Sequence, residues 1–298
     1  MQRQERGKTP DSLPKPRGLN DMEKADMERI RANCRVEIAD SNHPRLSDEV
    51  EEYLRYLRIH RLISLPQDMQ SQSNTMFRRI IEKGLRVALL KYKGPEVPVG
   101  GNATLPPEAV IGVNSSKQTD AYPHEWFDNL LKARQNHTMD DLTTAVESAR
   151  GRLKFQPFRE ITDRDEPVIA AGKGAGFLSL IHVSPRLRGC GLSQILLPEV
   201  LKYYWQARDV PYVFVYGRTP AISREQEMKA EFEESGVVST QNLNRYITQV
   251  LGGVKRDFGV GVNQKAGAEI ICGLPDSVLD RESLNCGYLA IYKNPRLQ

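Results

Sequence analysis

The strongest constraint on the fold is the run of residues 176–216, in which the pattern of apolar residues changes three times. Two short apolar segments predict buried strands, and between them a turn with two glycines leads into a longer segment with helical periodicity. Two strands joined through a helix pair in parallel, with a right-handed crossover. The run therefore predicts a βαβ unit: a strand at 176–183, a glycine turn at 189–191, a helix at 192–208 and a strand at 212–216.

The rest of the chain predicts a mixed α/β protein with a less regular beginning. Further strands are predicted at 85–92, 110–113, 268–272 and 287–292, and further helices at 126–134, 139–150 and 241–251. Residues 1–45 are polar and weakly periodic, and they predict a flexible segment. Residues 46–84 predict a helical extension, which leaves 85–298 as the main domain.

The glycine turn has the chemistry of an anion site. Gly189 and Gly191 permit a sharp turn and let backbone N–H groups approach a ligand with no Cβ in the way. The turn opens the helix that begins near Leu192, where unsatisfied N–H groups and the positive end of the helix dipole coincide. A pyrophosphate would fit there, with Arg186 or Arg188 adding charge. A tight turn without any ligand is the alternative.

Two common nucleotide-binding motifs are excluded at this turn. A dinucleotide loop needs a third glycine where this chain has Gln194, and an acidic residue after the next strand, which here ends in Gly217 and Arg218. A P-loop needs Lys and then Ser or Thr after its last glycine, and Leu192 stands there instead.

The turn resembles the coenzyme A loop of the GNAT superfamily, in which Arg or Gln-x-x-Gly-x-Gly or Ala follows a strand ending in Val-x-Pro. A narrower similarity, over residues 85–298, is to the GNAT-like domains of polyketide synthase loading modules. It rests on Gly267-Ala268-Glu269-Ile270 and on Asn285-Cys286-Gly287-Tyr288. The resemblance implies a GNAT fold, with a mixed central sheet splayed at the acyl-CoA site, flanking helices and an N-terminal helical extension.

The same resemblance implies which residues bind the coenzyme, and that it is acetyl-CoA or another acyl-CoA with no metal. These residues lie at the end of the strand and in the loop: Val183, Arg186, Arg188, Gly189, Cys190, Gly191, Leu192 and Ser193.

The catalytic positions that the resemblance implies carry unusual residues here. Loading-module domains are thought to use a Thr at the end of the next strand and a His four residues before Gly-Ala. In this chain Gly217 occupies the Thr position, with Thr219 two residues later, and Asn263 occupies the His position. Acetyltransferases commonly place Tyr at the Asn263 position. Asn has no proton to release near neutral pH and cannot be a general acid, although its amide could donate to an oxyanion. A polar side chain at a helix end is the alternative.

Three more residues are candidates because of their place on the two strands. His182, just before the loop, is a candidate general base or a packed, hydrogen-bonded residue. Tyr216 and Arg218, at the end of the following strand, are candidate substrate contacts. Arg218 could hold a substrate carboxylate or could be an ordinary surface arginine.

Composition excludes several other functions. The net charge of +4 is spread without long Lys or Arg runs, so nucleic-acid binding is not expected. No apolar run reaches the roughly 18–20 residues that cross a bilayer, and the first residues lack a secretory signal, so a cytoplasmic protein is predicted. The four cysteines and five histidines are dispersed, which does not match a zinc site.

The sequence therefore predicts an acyl-CoA-dependent acyltransferase that serves a small amine or an acyl carrier protein, in secondary metabolism. One alternative is a malonyl-CoA decarboxylase-like loading activity. A second is a catalytically weak GNAT-fold module that binds coenzyme A or a partner protein. In that case the helical residues before 85 would bind the partner, or simply cover one face of the sheet.

Overall fold

The computed structural model describes residues 24–60, 81, 84–99, 103–150, 169–278 and 280–297. Most of the second half of the predicted helical extension lies outside these residues.

One sheet of seven strands organises the described chain. In sequence order the strands are β1 (Cys34–Ala39), β2 (Leu85–Tyr92), β3 (Val97–Pro98), β4 (Thr104–Leu105), β5 (Val110–Thr119), β6 (Ala175–Val183), β7 (Tyr212–Arg218), β8 (Glu269–Leu274) and β9 (Gly287–Lys293). The spatial order is β1-β2-β5-β6-β7-β9-β8, while β3 and β4 form a separate small hairpin. Only β6 and β7 pair in parallel. The predicted βαβ unit is confirmed.

Eight helices flank this sheet in the described part of the chain. They are α1 (Lys24–Ala32), α2 (Leu46–Ile59), α3 (His124–Asn136), α4 (Met139–Arg150), α5 (Ser193–Gln206), α6 (Gln226–Ser235), α7 (Thr240–Leu251) and α8 (Phe258–Lys265). Side chains alternate between the two faces of each strand. On one face, α2 packs on Val87 and Val113. On the other face, Arg86 of β2 donates a hydrogen bond to the hydroxyl of Tyr203 on α5. Helix α5 continues through Pro198.

The sheet opens between β6 and β7. These two strands pair only from Gly176 with Val213 to Leu178 with Val215. Beyond those three pairs β6 runs on to Val183 and β7 to Arg218, and no pairing joins them in the described sheet. The predicted splayed, mixed sheet of a GNAT fold is confirmed.

Two elements lie within residues 24–45, the described part of the segment predicted to be flexible. Residues 24–32 form α1, which buries Ile30, and residues 34–39 pair with β2 as the edge strand of the sheet. Helix α1 carries few apolar residues. In β1, Cys34, Val36 and Ile38 alternate with polar residues, but this alternation spans only three apolar positions, so neither element stands out in the sequence.

A buried lysine fastens α2 to the sheet. The ammonium group of Lys91 on β2 lies 2.7 Å from Glu37 of β1, and 2.9 Å and 2.7 Å from Glu49 and Glu52 of α2. Burial by itself would lower the pKa of Lys91, but its hydrogen bonds with Glu37, Glu52 and Glu49 raise that pKa above the ordinary value. The three ammonium protons face three carboxylates, so this end of α2 is fixed in position.

We expect Lys91→Met to lower the free energy of unfolding by about 3–5 kcal/mol, because it leaves the buried carboxylate of Glu49 without its counter-charge. Urea denaturation measures this loss. Lys93→Met is the matched control: Lys93 pairs with Glu37 and Glu108 but is one-third exposed, so its loss should cost less than about 1 kcal/mol. Equal, small effects for both variants would contradict the anchoring role of Lys91.

Candidate functional site

The loop after β6 has the backbone shape that its glycines allow. Leu187 and Leu192 are buried and hold the loop down at each end. Gly189 and Gly191 have φ angles of 88° and 71°, a region in which a residue with a Cβ is strained. Two glycines are therefore required here by the turn itself.

The same loop presents hydrogen-bond donors without partners. Among the described residues no acceptor pairs with the N–H groups of Gly189, Gly191, Leu192 and Ser193, whereas that of Gln194 donates to the Gly191 carbonyl at 3.0 Å. Ser193 is the first residue of α5, so these donors lie at the positive end of the helix dipole. The arrangement is a cradle for an anion.

Arginines surround this cradle. Arg186 and Arg188 of the loop are exposed. A third arginine comes from α1: a Cβ built on Gly191 would lie 3.5 Å from Cζ of Arg31, so the Arg31 guanidinium lies over the loop. Sequence reasoning missed Arg31 because no local pattern connects it to a loop 160 residues later, and because it falls in the segment predicted to be flexible.

Other predicted coenzyme-binding residues have buried side chains. Val183, Cys190 and Ser193 are buried. Burial raises the pKa of Cys190, and the positive charge of Arg31 only partly offsets this. The thiol is therefore protonated at neutral pH and is not activated by its place beside the helix N-terminus.

His182 lies on β6 beside the opening, in a cluster that the sequence did not predict. Its Nδ1 is 2.9 Å from the Tyr56 hydroxyl, and its ring centroid is 5.3 Å from that of His60; both partners are on or next to α2. Arg188 of the loop reaches its Nε2 at 3.4 Å. Burial first, and then His60, Arg188 and Arg218, lower the pKa of His182 to about 4, so the imidazole is neutral at pH 7.

Asn263 is committed to a buried network on α8. Its amide donates to the Tyr288 hydroxyl at 2.6 Å and to the Gly259 carbonyl at 3.0 Å, and its carbonyl accepts from the Tyr292 hydroxyl at 2.5 Å. All of its polar groups thus have partners within the protein. The structure places Asn263 at a helix end with a packing role, the alternative that the sequence left open.

Thr219 is also fully buried, and both its N–H and its hydroxyl donate to the Cys286 carbonyl, at 3.2 Å and 3.1 Å. The neighbouring Gly217 occupies the position where the loading-module domains have Thr. A Cβ built there would lie 2.2 Å from Cζ of Tyr288. The ring of Tyr288 therefore excludes any side chain at residue 217.

The two predicted substrate contacts on β7 already have partners in the described chain. The Tyr216 hydroxyl lies 2.6 Å from that of Tyr122. Arg218 is half-exposed and forms an ion pair with Asp280 at 3.0 Å. A substrate carboxylate would have to compete with Asp280 for the guanidinium group.

The structure thus divides the predicted site residues into two groups. His182, Arg188 and Arg218 lie around the opening, close enough for both arginines to lower the pKa of His182. Thr219 and Asn263 are buried in networks of their own. Of these residues, only those of the first group have polar side chains at the opening, where they could act on a bound ligand.

Comparisons with known proteins agree with the fold. No family model and no curated protein match the chain. Among solved structures, a malonyl-CoA decarboxylase from Rhodopseudomonas palustris has a TM-score of 0.53 at 10% identity, and the match covers 91% of this chain and 59% of that one. The loading GNATL domain of CurA from Lyngbya majuscula has a TM-score of 0.44 at 16% identity, covering 88% of this chain and 98% of that one.

A third structure, the GphF GNAT-like decarboxylase in complex with isobutyryl-CoA, has a TM-score of 0.45 at 14% identity and covers 87% of this chain and 99% of that one. At 10% identity the match to the malonyl-CoA decarboxylase shows the fold alone. Across the described residues no group of three or more His, Cys, Asp or Glu is placed to hold a metal ion. No helix of the described chain is both long and apolar enough to cross a membrane.

We expect Asn263→Ala to lower the free energy of unfolding by about 2–3 kcal/mol, because the buried Tyr292 and Tyr288 hydroxyls lose their shared partner. Thermal and urea unfolding test this. Asn136→Ala, which removes an exposed amide at the end of α3, should change stability by less than about 0.5 kcal/mol. An Asn263→Ala variant as stable as the wild type would contradict the packing role.

We expect the unfolding free energy to fall as pH is lowered from about 6.5 to about 4, in part through His182. Its folded pKa of about 4 lies below the ordinary 6.5, so the unfolded chain binds the extra proton in this interval and is favoured by acid. His182→Gln should weaken the pH dependence, whereas His137→Gln, at an exposed histidine, should not. Equal pH dependence in all three proteins would contradict the lowered pKa. Urea denaturation at pH 4.5, 5.5 and 7 provides the comparison.

Proposed function

We propose that this protein is an acyl-CoA-dependent acyltransferase of the GNAT type, which moves an acyl group from coenzyme A to an amine or to the thiol of a carrier protein. The observation that carries the proposal is the cradle of unpaired N–H groups at Gly189, Gly191, Leu192 and Ser193. It lies at the start of α5, where the open part of β6 ends. Coenzyme A is an anion with a pyrophosphate, and backbone donors at a helix N-terminus suit a pyrophosphate.

The charges around the cradle support a polyanionic ligand. Arg31, Arg186 and Arg188 approach it from α1 and from the loop itself. Coenzyme A carries a further phosphate besides its pyrophosphate, so three arginines in and beside the loop suit it better than a single anion. Arginine is also the cation that pairs best with phosphate oxygens.

The open sheet supports a thioester arm that extends away from the cradle. Between residues 179–183 of β6 and residues 216–218 of β7 no strand pairing occurs in the described sheet, so a ligand there would not have to displace a β6–β7 pair. The amides of a pantetheine arm can pair with such an edge as an added strand does. The arm would carry the thioester toward His182 and Arg218.

Catalysis at this site would rest mainly on positioning. Holding an acyl thioester and its acceptor in contact supplies several kcal/mol of the barrier lowering without any acid. This suits a chain in which Asn263, at the usual acid position, is bound into a packing network.

We expect Gly189→Asp to weaken the binding of acetyl-CoA and malonyl-CoA at least tenfold, about 1.4 kcal/mol. A Cβ is strained at a φ of 88°, and the new carboxylate repels phosphate. Isothermal titration measures the affinity. Gly236→Asp is the matched control: its φ is 78°, and its Cβ would meet nothing within 4 Å at the end of α6. It should bind as the wild type does.

Mass spectrometry of the incubated ligands then separates the possible reactions. If acetyl-CoA forms from malonyl-CoA, the result would support a decarboxylase-like loading activity in place of acyl transfer. Binding without any change of the ligand, in the presence of amine and thiol acceptors, would indicate a coenzyme A-binding module. A folded wild type that gives no heat with either ligand would mean that the glycine turn is only a turn.

A further inference from the structure

We propose that α2 completes the catalytic centre, because Tyr56 holds the Nδ1 proton of His182 and leaves Nε2 as the basic atom. Nε2 accepts from Arg188 in this structure, and it takes the proton of the acyl acceptor once a bound phosphate draws Arg188 away. The inference rests on the proposed acyl transfer and names the base and the residue that positions it. It gives the helical segment before residue 85 a role in the site, rather than that of a cover or a partner-binding appendage.

The hydrogen bonds of Tyr56 decide which ring nitrogen of His182 carries the proton. The Tyr56 hydroxyl lies 3.3 Å from the Ile111 carbonyl and 2.9 Å from Nδ1 of His182. A carbonyl only accepts, and a hydroxyl has one proton to donate. Both contacts are satisfied when Tyr56 donates to Ile111 and the Nδ1–H of His182 donates to Tyr56. Burial raises the pKa of Tyr56, so the phenol keeps its proton, and Nε2 is left with a lone pair.

The second nitrogen faces the coenzyme loop. Arg188 approaches Nε2 at 3.4 Å from one side of the opening. The other charged or titratable groups that act on His182 are His60, which follows α2, and Arg218 at the end of β7. Since β6 and β7 no longer pair at the level of His182, the proposal places the acceptor on this side of the opening.

The positive neighbours of His182 couple the base to the coenzyme. Arg188 is exposed in the loop, and a bound phosphate would neutralise its charge. With less positive charge nearby, the pKa of His182 rises from about 4, while burial, the largest cause of its low value, still acts on it. His182 would therefore become a stronger base when the acyl donor is in place.

The transfer step balances with these groups alone. As the amine or thiol attacks the thioester carbonyl carbon, its N–H or S–H proton passes to Nε2 and the carbonyl π electrons move to oxygen. Collapse of the tetrahedral intermediate breaks the C–S bond and releases the coenzyme A thiolate. The imidazolium of His182 returns its proton to that thiolate, so no acid is needed at the Asn263 position.

The spectroscopic test measures the tautomer of His182 without an acceptor. Long-range ¹H–¹⁵N spectra of the imidazole groups at pH 7 should show His182, identified by its loss in His182→Gln, protonated at Nδ1. Tyr56→Phe removes the acceptor of that proton and should shift His182 toward the Nε2-protonated form. Tyr53→Phe is the matched control, because Tyr53 lies one turn earlier on α2 with its hydroxyl toward Ser115, and it should leave the tautomer unchanged.

The kinetic test follows coenzyme A release from acetyl-CoA, with N-acetylcysteamine as thiol and butylamine as amine. Tyr56→Phe should lower kcat about tenfold or more with little change in KM for acetyl-CoA, and His182→Gln should lower kcat by about 10²-fold or more. The acid limb of the wild-type kcat/KM profile should move in Tyr56→Phe and not in Tyr53→Phe.

Two results would overturn the proposal: an Nε2-protonated His182 in the wild type, or a Tyr56→Phe variant with the wild-type tautomer and kcat. Failure of the proposed function is a different result. In that case acetyl-CoA gives no heat of binding, while the tautomer spectra still decide whether Tyr56 positions His182.

Discussion

The site depends on the loss of pairing between β6 and β7 after only three residue pairs. Beyond that point each strand stays with its other neighbour. On one side, β6 pairs with β5 and accommodates a bulge at Ser179, where the register shifts between Ser115 and Ser116. On the other, β7 pairs with β9, and Gly217 packs directly against the ring of Tyr288. Once the two strands separate, their facing edges are available to a ligand.

Buried polar networks attach a helix to each face of the sheet beside this opening. On one face Lys91 binds three carboxylates and fixes α2, which carries Tyr56 toward His182. On the other face Asn263 joins α8 to Tyr288 and Tyr292 of β9. Buried networks of this kind are costly to disturb.

Charge is distributed unevenly around the opening. The cradle N–H groups, Arg31 and the loop arginines create a positive region at the end of β6, and the only described carboxylate paired with the site arginines is Asp280, on Arg218. His182 remains neutral among these charges because of its burial and its positive neighbours. A polyanionic donor and an uncharged base are therefore compatible in one place, which is the electrostatic requirement of the proposed transfer.

Sequence alone determined the elements whose cause is local. The strand, glycine turn and helix of residues 175–206 could be predicted because apolar periodicity and positive-φ glycines act within a few residues. The same reasoning named His182 and the loop. It did not find α1 and β1 as parts of the fold, because α1 buries only Ile30 and the apolar alternation of β1 is only three positions long.

Tertiary structure alone decided which of the named residues meet. It brought Tyr56 to His182 across 126 positions of sequence and laid Arg31 over Gly191. It also placed the side chains of Asn263 and Thr219 in buried hydrogen bonds within the protein. The physical reason is that a hydrogen bond or an ion pair between distant segments depends on the packing of whole helices against the sheet, and no spacing within the sequence records that packing.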